Sequence, residues 1–235
     1  MDVRKYKALP FQYKLARFSL RLLEAYPFLG EVCMRVEKYI SDTHGFAATD
    51  GYRLYLNEKM MNGTSCTVYY KDGKIGVCGR NKEYKEDVST CSMWAWVYKN
   101  DLVSKLIKLN ENIAIQGEFC GEGIQKNRLK LMKPNLFVFN VFTLLDGSGV
   151  KKAGLSELKR YCEQLGLDTV PIEEVGESFN YTLDELLEKA RGKYASGLDK
   201  EGIVVRTQNP VHNYEINHKM SFKVINNDFL KKEKD

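Results

Sequence analysis

The chain has 235 residues and a mass of 27.1 kDa, and 43% of its residues are hydrophobic. This much apolar material suffices for a packed core and excludes a disordered protein. No apolar run approaches the roughly 18–20 residues that a bilayer span requires, and the mean hydropathy is −0.41. Because the first residues also lack the layout of a signal peptide, we expect a cytoplasmic protein without a membrane partner.

The charge and the cysteines add two further expectations. A formal net charge of +5 is mildly basic, which suits a polyanionic partner without identifying one. The cysteines form no C-x-x-C pair, and the three histidines complete no familiar zinc-binding pattern with them. We therefore expect free thiols in a reducing compartment. The cysteines are Cys33, Cys66, Cys78, Cys91, Cys120 and Cys162.

The first forty residues are predicted to be helical. Apolar residues recur at helical spacing from Leu15 to Ile40, with an interruption at Pro27. Near residue 50 the pattern changes to short β-type runs, the first of them Arg53–Leu56. We therefore expect a helical N-terminal segment over residues 1–50 and one domain over residues 51–235.

Short strands and helices are mixed through the rest of the chain. The turn sequence Lys71-Asp72-Gly73 separates the strand candidates Cys66–Tyr70 and Lys74–Gly79, which predicts a hairpin. Because strands and helices do not alternate strictly, the pattern favours an α+β fold with a largely antiparallel sheet. Further strands are predicted at Ile113–Glu118, Leu136–Phe142, Gly202–Arg206 and Ser221–Ile225. Helical spacing is seen in a first group, Leu102, Val103, Leu106 and Leu109, and in a second, Leu155, Leu158, Cys162 and Leu165, with Gly166 placed to end the helix. A further helix is predicted after the capping-box sequence Thr182-Leu183-Asp184-Glu185.

Short polar sequences stand at the ends of these strand candidates, where a sheet presents reactive groups. Each alone is usually structural, since an exposed lysine before a glycine is commonly a solvated loop residue. Their order along the chain is more informative than any one of them. They are Glu58-Lys59-Met60-Met61-Asn62-Gly63-Thr64-Ser65, Gly79-Arg80-Asn81, Gln116-Gly117-Glu118, Glu201-Gly202-Ile203-Val204-Val205-Arg206 and Ser221-Phe222-Lys223.

This order resembles the covalent nucleotidyltransferase superfamily, and within it the RNA ligase 2-like ATP-dependent RNA ligases, over about residues 58–235. The most specific stretch is Gly117–Asn127, which is similar to the Gly-Glu…Gly-x-Gly-Ile-Gln-x-Asn segment of those ligases. Phe137–Asn140 resembles their adenine-stacking motif, and Ser221–Asn227 resembles their last motif. The resemblance implies a nucleotidyltransferase fold of the ATP-grasp-like ligase adenylation type, with antiparallel sheets and flanking helices.

The resemblance also implies a reaction and its catalytic residues. Such enzymes form lysyl-AMP and join RNA 5′-phosphate and 3′-hydroxyl ends, with ATP and Mg²⁺ as cofactors. Lys59 would be the nucleophile, which must be neutral to attack. Glu201 would position the catalytic metal through water, and Lys223 would neutralise the α-phosphate.

Four further residues would bind the nucleotide if the resemblance holds residue by residue. Arg80 would contact the sugar or phosphate, and Glu118 would hold the ribose hydroxyls. Phe139 and Val204 would sandwich the adenine between an aromatic and an aliphatic face. Phe139 and Val204 are equally ordinary core residues, so a purely structural role stays open for both.

The nucleophile motif departs from the family pattern, in which the glycine follows the lysine by three positions. Here Gly63 follows Lys59 by four, and Met60 stands three positions before the glycine. In one interpretation, a methionine is inserted and a bulge lets Lys59 reach the nucleotide. In the other, Met60 occupies the nucleophile position, because a one-residue slip turns a side chain to the opposite face. The alternative function is then a catalytically silent nucleotide- or RNA-binding domain.

Three other expectations concern the remaining function classes and the ends of the chain. A capping guanylyltransferase is disfavoured by the stretch Gly117–Asn127. The sequence continues only briefly after Lys223, so we expect no C-terminal ligase domain and a separate C-terminal or repair partner domain. Residues 1–57 weakly resemble the start of a vWA-associated metallopeptidase, but no His-Glu-x-x-His follows, so we expect no peptidase activity.

Overall fold

The computed structural model describes residues 55–146, 149–177, 179–210, 212–213, 218–219 and 221–232. The predicted N-terminal helices and the boundary near residue 50 lie outside these residues. The strands are β1 (Tyr55–Lys59), β2 (Thr64–Lys71), β3 (Lys74–Cys78), β4 (Glu83–Tyr84), β5 (Ile113–Cys120), β6 (Asn135–Leu144), β7 (Val150–Lys152), β8 (Asp168–Thr169), β9 (Ile172–Gly176), β10 (Gly202–Thr207), β11 (His212–Asn213), β12 (His218–Lys219) and β13 (Ser221–Ile225). The helices are α1 (Ser92–Lys99), α2 (Leu102–Leu109), α3 (Leu155–Leu165), α4 (Leu183–Ala190) and α5 (Asn227–Lys232).

The chain divides into two compact units, and each takes residues from separate parts of the sequence. The large-sheet unit comprises Met60–Ile172 and Lys193–Leu198. Of the described residues, the small-sheet unit comprises those up to Lys59, those within Glu173–Gly192 and those from Asp199 onward. The division between β1 and the following residues thus falls inside the nucleophile motif, between Lys59 and Met60.

The large-sheet unit contains a seven-stranded sheet in the order β4-β3-β2-β5-β6-β7, with β8 paired in parallel to β6 and every other pairing antiparallel. Strands β2 and β3 form the predicted hairpin, with Lys71 opposite Lys74. Asp72 and Gly73 both have positive φ, of 51° and 79°. Two central residues with positive φ are what a tight two-residue hairpin requires, which explains the Asp-Gly sequence.

One face of the large sheet packs with helices α1, α2 and α3 in a single hydrophobic core. In β5, Ile113, Ile115 and Phe119 belong to this core, whereas Gln116 and Glu118 alternate onto the opposite face. Helix α1 was not predicted from the sequence. Its short run of buried tryptophan and valine residues suits a strand as well as a helix, so periodicity alone cannot distinguish them.

The small-sheet unit contains a four-stranded sheet in the order β13-β10-β1-β9. Helix α4 packs on one face through Leu186 and Ala190, against Ile203, Val205 and Val224. Its predicted capping box is formed, because the Thr182 N–H donates to Glu185 Oε2 at 2.7 Å and the Glu185 N–H donates to Thr182 Oγ1 at 3.3 Å. The helix therefore covers the row of Ile203 and leaves the alternate row of the sheet on the other face.

The expected α+β architecture with largely antiparallel sheets is confirmed. Helix α3 ends at Gly166 as predicted, with φ of 64° at that residue. Strand β13 and helix α2 have the bounds that the periodicity indicated. None of the helices in the described part of the chain has the length and apolarity that a bilayer crossing needs.

Candidate functional site

Two of the predicted site residues share a row across the small sheet. Val204 on β10 lies opposite Glu58 on β1 and opposite Lys223 on β13. The three residues therefore share the face opposite helix α4, because Ile203 and Val224 occupy the helix-packed row. Val204 is half-buried and Lys223 is exposed. The row presents an aliphatic surface beside a cation, which suits a flat ring attached to an anionic group.

Lys59 is the last residue of β1, and the structure describes it by its backbone alone. In the register of the sheet it lies opposite Ile203, one position out of the row that contains Val204 and Lys223. Since alternate residues of a strand belong to opposite faces, Glu58 rather than Lys59 occupies the row of the predicted nucleotide-binding residues.

Glu58 forms a buried ion pair with Arg206, in which the two side chains are only 5% and 10% exposed. Arg206 follows Val204 by two positions on β10, so the two residues share a face. Sequence reasoning missed this pair. The signal was present in the i, i+2 spacing of Val204 and Arg206, but the partner of the arginine depends on a register that sequence spacing does not supply.

Glu201 is held at the start of β10 by Asn226, another residue that sequence reasoning did not assign. Asn226 is 1% exposed. Its N–H donates to the carbonyl oxygen of Glu201 and its Nδ2 donates to that of Lys200, both at 2.9 Å. Gly202 adds a close approach, because a Cβ at this residue would overlap the carbonyl oxygen of Val224. The backbone that leads from Glu201 into the row of Val204 is therefore fixed on both sides.

The donor set constrains how a metal could be held. Within the described residues, no group of three or more His, Cys, Asp or Glu side chains could hold a metal ion. Magnesium commonly needs only one or two carboxylates when phosphate oxygens and water complete its shell. The described residues therefore fit a metal that arrives with a triphosphate, with Glu201 as a carboxylate for it, and they do not form a closed protein cage.

Glu118 and Phe139 lie together in the large-sheet unit, on the face opposite the helices. Glu118 is opposite Ser65 on one side and Phe137 on the other. The register between β5 and β6 shifts after Gln116, and Phe139 is the extra residue of the resulting β-bulge. A bulge re-aims the side chain of its extra residue, and bulges are common beside active sites.

Phe139 is half-buried and packs against a small apolar cluster. The buried members of this cluster are Met61, Cys120 and Val170, and the partly buried ones are Leu129, Leu131, Phe137 and Phe139. Arg80 is exposed and follows β3 by two positions, in a turn where the Gly79 N–H donates to the Lys82 carbonyl oxygen at 2.9 Å. The structure thus brings Glu118 and Phe139 together and places Arg80 on a neighbouring turn.

The segment after Lys59 is fixed within the large-sheet unit. The Tyr194 hydroxyl donates to the carbonyl oxygen of Met60 at 2.9 Å, and Met61 is buried. A Cβ at Gly63 would overlap the carbonyl oxygen of Phe119 and would lie 3.0 Å from Glu118 Cγ. The glycine of the nucleophile motif is therefore required by a close approach to the strand that carries Glu118.

The comparisons with known proteins point to one family. The family model described as RNA ligase matches residues 53–225. The chain is 31% identical to a lysine-to-methionine mutant of Naegleria gruberi RNA ligase solved with AMP and Mn, with a TM-score of 0.68 over 83% of this chain and 56% of that one. It is 31% identical to a lysine-to-alanine mutant solved with ATP and Mn, with a TM-score of 0.67 over 81% of this chain and 55% of that one.

A third similar structure is the Naegleria gruberi RNA ligase with PPi, at 32% identity and a TM-score of 0.66 over 78% of this chain and 52% of that one. The chain therefore spans about half the length of these ligases. None of the curated proteins matches it.

Proposed function

This chain belongs to the RNA ligase family, and on that premise we propose that it is an ATP-dependent catalytic domain that seals RNA ends through a lysyl-AMP intermediate. The observation that carries the proposal is the row of Val204 and Lys223 across the small sheet. An aliphatic face beside an exposed cation suits an adenine ring and the phosphate attached to its sugar.

The proposed reaction has three steps. A neutral lysine amine attacks the α-phosphorus of ATP, so that an N–P bond forms, the bond to the β-phosphate oxygen breaks, and pyrophosphate leaves as the amine loses a proton. An oxygen of the RNA 5′-phosphate then attacks the phosphorus of lysyl-AMP, so that a P–O–P linkage forms, the N–P bond breaks and the lysine nitrogen takes up a proton. Finally, the 3′-hydroxyl of the second end attacks the phosphorus of that 5′-phosphate and loses its proton, so that a phosphodiester forms and AMP leaves.

Each predicted residue has a place in this scheme. Lys59 is the proposed nucleophile, and Lys223 would offset the charge that develops on the α-phosphate. Glu201 would hold a magnesium ion through water, and the ion would supply further charge neutralisation at the phosphates.

The nucleotide itself would be held mainly by residues of the large-sheet unit. Glu118 would accept hydrogen bonds from the ribose hydroxyls, and Arg80 would bind the sugar or phosphate. The adenine would stack on the aromatic face of Phe139. The bulge at Phe139 supports this assignment, because it changes the direction of a side chain that a regular ladder would fix.

A second candidate function is a nucleotide-binding domain that does not form the covalent adduct. It is favoured by the register that places Lys59 opposite Ile203, out of the row of Val204 and Lys223. The Naegleria gruberi ligase was solved with AMP and Mn as a lysine-to-methionine mutant, so in that protein nucleotide occupancy tolerates such a change. Met60 in this chain would then occupy the nucleophile position.

Intact mass spectrometry after incubation with ATP and magnesium tests the two candidates. We expect the parent chain to gain the mass of one AMP and Lys59→Ala to gain none. Lys99→Ala is the matched control, because Lys99 is an exposed lysine of α1, a helix that packs on the face of the large sheet opposite Glu118. An adduct that forms only after Met60→Lys would establish the silent domain instead.

ATP binding is measured on the same variants by titration calorimetry, so that loss of chemistry is separated from loss of binding. A parent chain that neither binds ATP nor gains AMP would contradict both candidates. If the adduct forms, a pre-adenylated RNA and a 5′-phosphorylated RNA are compared as substrates. Joining of the first alone would indicate that a partner domain is needed for transfer of AMP to the RNA.

A further inference from the structure

The loop between β5 and β6, residues 121–134, is one of the basic stretches of the chain. We call it the basic loop. It carries four basic residues and one acidic residue, Glu122, and thus +3 of a total formal charge of +5. The basic residues are Lys126, Arg128, Lys130 and Lys133.

The basic loop is held in one shape by hydrogen bonds within the loop and by one from Ser196. Asn127 Nδ2 donates to the carbonyl oxygen of Leu131 at 3.0 Å, and Asn127 Oδ1 accepts from the Leu131 N–H at 3.1 Å. The Ser196 hydroxyl donates to the carbonyl oxygen of Arg128 at 2.5 Å. Leu129 and Leu131 pack against the apolar cluster that contains Met61. These contacts anchor the inner side of the loop and fix the direction of its outer side.

Three residues with side chains adopt the left-handed backbone conformation in this short segment. The φ angles are 48° at Gln125, 41° at Asn127 and 52° at Lys130. This conformation is unfavourable for residues with side chains, less so for asparagine, and at Gln125 and Lys130 it persists because the surroundings enforce it. Strain of this kind is concentrated at functional sites, so the retained shape of the loop itself requires an explanation.

The outer side of the loop presents cations to solvent. Lys130 and Lys133 are exposed, and neither ammonium group pairs with a carboxylate in the part of the chain that the structure describes. Between them Met132 is 82% exposed, which is unusual for a large apolar side chain. Two unpaired cations that flank an apolar side chain complement a phosphate backbone with an accessible base.

We propose that the basic loop binds the sugar–phosphate backbone of the RNA substrate. The inference rests on the proposed function, since it names the surface that holds the RNA for the ligase. The loop begins at Gly121, directly after the strand that carries Glu118, so bound RNA would lie beside residues proposed to hold the nucleotide. Lysine suits this task because a phosphate backbone varies in position and a flexible point charge can follow it.

The test compares two double variants that remove the same charge. Lys130→Gln/Lys133→Gln alters the loop, and Lys99→Gln/Lys108→Gln alters exposed lysines of α1 and α2 as the matched control. Glutamine retains side-chain length, so the loop keeps its shape, which urea unfolding midpoints verify. Binding of a 5′-phosphorylated single-stranded RNA is measured by fluorescence anisotropy across a salt series.

We expect the loop variant to bind RNA about tenfold more weakly near 0.1 M salt, and its salt dependence to be shallower by about 1.4 in log–log slope, because two phosphate contacts are lost. The control variant should match the parent in both quantities. The inference would be overturned if both double variants lost RNA affinity equally, or if the parent did not bind RNA. The inference would also be overturned if the loop lysines were needed for binding polyglutamate and not for binding RNA.

ATP titration of the same proteins separates this inference from the proposed function. A parent that binds ATP, with equal RNA affinity in both double variants, overturns the inference and leaves the ligase function standing. A parent that binds RNA through the loop but does not bind ATP contradicts the ligase function and leaves the RNA-binding surface standing.

Discussion

Glu58 and Arg206 bury opposite charges on the face of the small sheet that also carries Val204 and Lys223. Removing a charge from water is expensive, and the attraction between the partners offsets that expense only while both are present. The pair joins β1 to β10 at the residue directly before Lys59. The position of the candidate nucleophile therefore depends on an ion pair that takes no part in the proposed chemistry.

Breaking this pair should strongly destabilise the small-sheet unit. We expect Glu58→Met and Arg206→Met each to lower the free energy of unfolding by about 3–5 kcal/mol, because each removes one partner of a buried ion pair. The double variant Glu58→Met/Arg206→Met should recover most of the loss. Urea denaturation of the four proteins provides the measurement as a double-mutant cycle.

An exposed ion pair is the control for this cycle. Arg191 and Glu188 pair at 2.9 Å with side chains that are 52% and 72% exposed, so Arg191→Gln should cost less than about 1 kcal/mol. If the Glu58 and Arg206 single variants were as mild as this control, or if their effects were additive, the pair would not fix β1 as described.

At the scale of elements, the local sequence was sufficient to predict a helix or strand where its apolar residues are strictly periodic. The bounds of strand β13 could be predicted, the apolar spacing from Leu102 to Leu109 indicated helix α2, and the Asp-Gly turn indicated the β2–β3 hairpin. Helix α1 could not be predicted, because Cys91 at its N-cap makes no side-chain capping bond and its apolar residues suit either period. The bulge at Phe139 depends on the partner strand, so no pattern in β6 alone reveals it.

The candidate site depends on long-range register more than the elements do. The resemblance to the ligases identified Val204 and Lys223 as candidate site residues. The spacing of residues along the chain does not show which residues of different strands lie opposite each other. Arg206 and Asn226 were missed for the same reason, since their partners Glu58 and Glu201 lie elsewhere in the sequence. A motif supplies residue types, whereas the pairing of β1, β10 and β13 supplies their arrangement.

The capping box of α4 provides a prediction at this scale. Thr182→Ala should lower the free energy of unfolding by about 1 kcal/mol, because the N–H of Glu185 loses its acceptor. Two hydrogen bonds from Thr182 lower the pKa of the Glu185 carboxyl. The bond from the backbone N–H has the larger effect, and the bond from the hydroxyl has the smaller one. The stabilisation that these hydrogen bonds give the folded protein is present above the ordinary pKa of a glutamate carboxyl. It is lost as the pH falls through the lowered pKa of Glu185.

Urea midpoints near pH 7 and below pH 4 measure both effects. Thr182→Ala should unfold at a clearly lower urea concentration than the parent at neutral pH. The difference between the two urea midpoints should become smaller below pH 4. The control is Thr143→Ala in β6, because within the described residues the Thr143 hydroxyl makes no hydrogen bond to a carboxylate. Its effect on stability should therefore not change with pH. A difference that stays constant with pH would contradict the coupling between Thr182 and Glu185.

At the scale of the whole molecule, the cysteines of the described residues are free thiols that differ in burial. Burial raises the pKa of the Cys66 thiol to about 12 and that of Cys162 to about 11. A thiol that stays protonated is a poor nucleophile, so these two side chains should be chemically inert in the folded protein. Their contribution to stability is complete below the unfolded pKa of about 9 and is lost as the pH rises through the raised values.

Alkylation with iodoacetamide at pH 8, followed by peptide mass mapping, measures this inertness. We expect Cys66 and Cys162 to remain unmodified in the folded protein and to react fully in urea. The half-buried Cys78 and Cys91 serve as internal comparisons. Modification of Cys66 without unfolding would contradict the packing of the large-sheet core, in which Cys66 is 1% exposed.

The discontinuity of the small-sheet unit has a consequence for how the chain is made. The chain leaves this unit at Lys59 and returns only at Glu173. Glu58 and its partner Arg206 are 148 positions apart, so β1 emerges from the ribosome long before the strand that pairs with it. Most of the large-sheet unit is contiguous and can fold in the interval. The strand that ends at Lys59 therefore remains an unpaired edge during this interval, and the row of Val204 and Lys223 is assembled only after β13 has been synthesised.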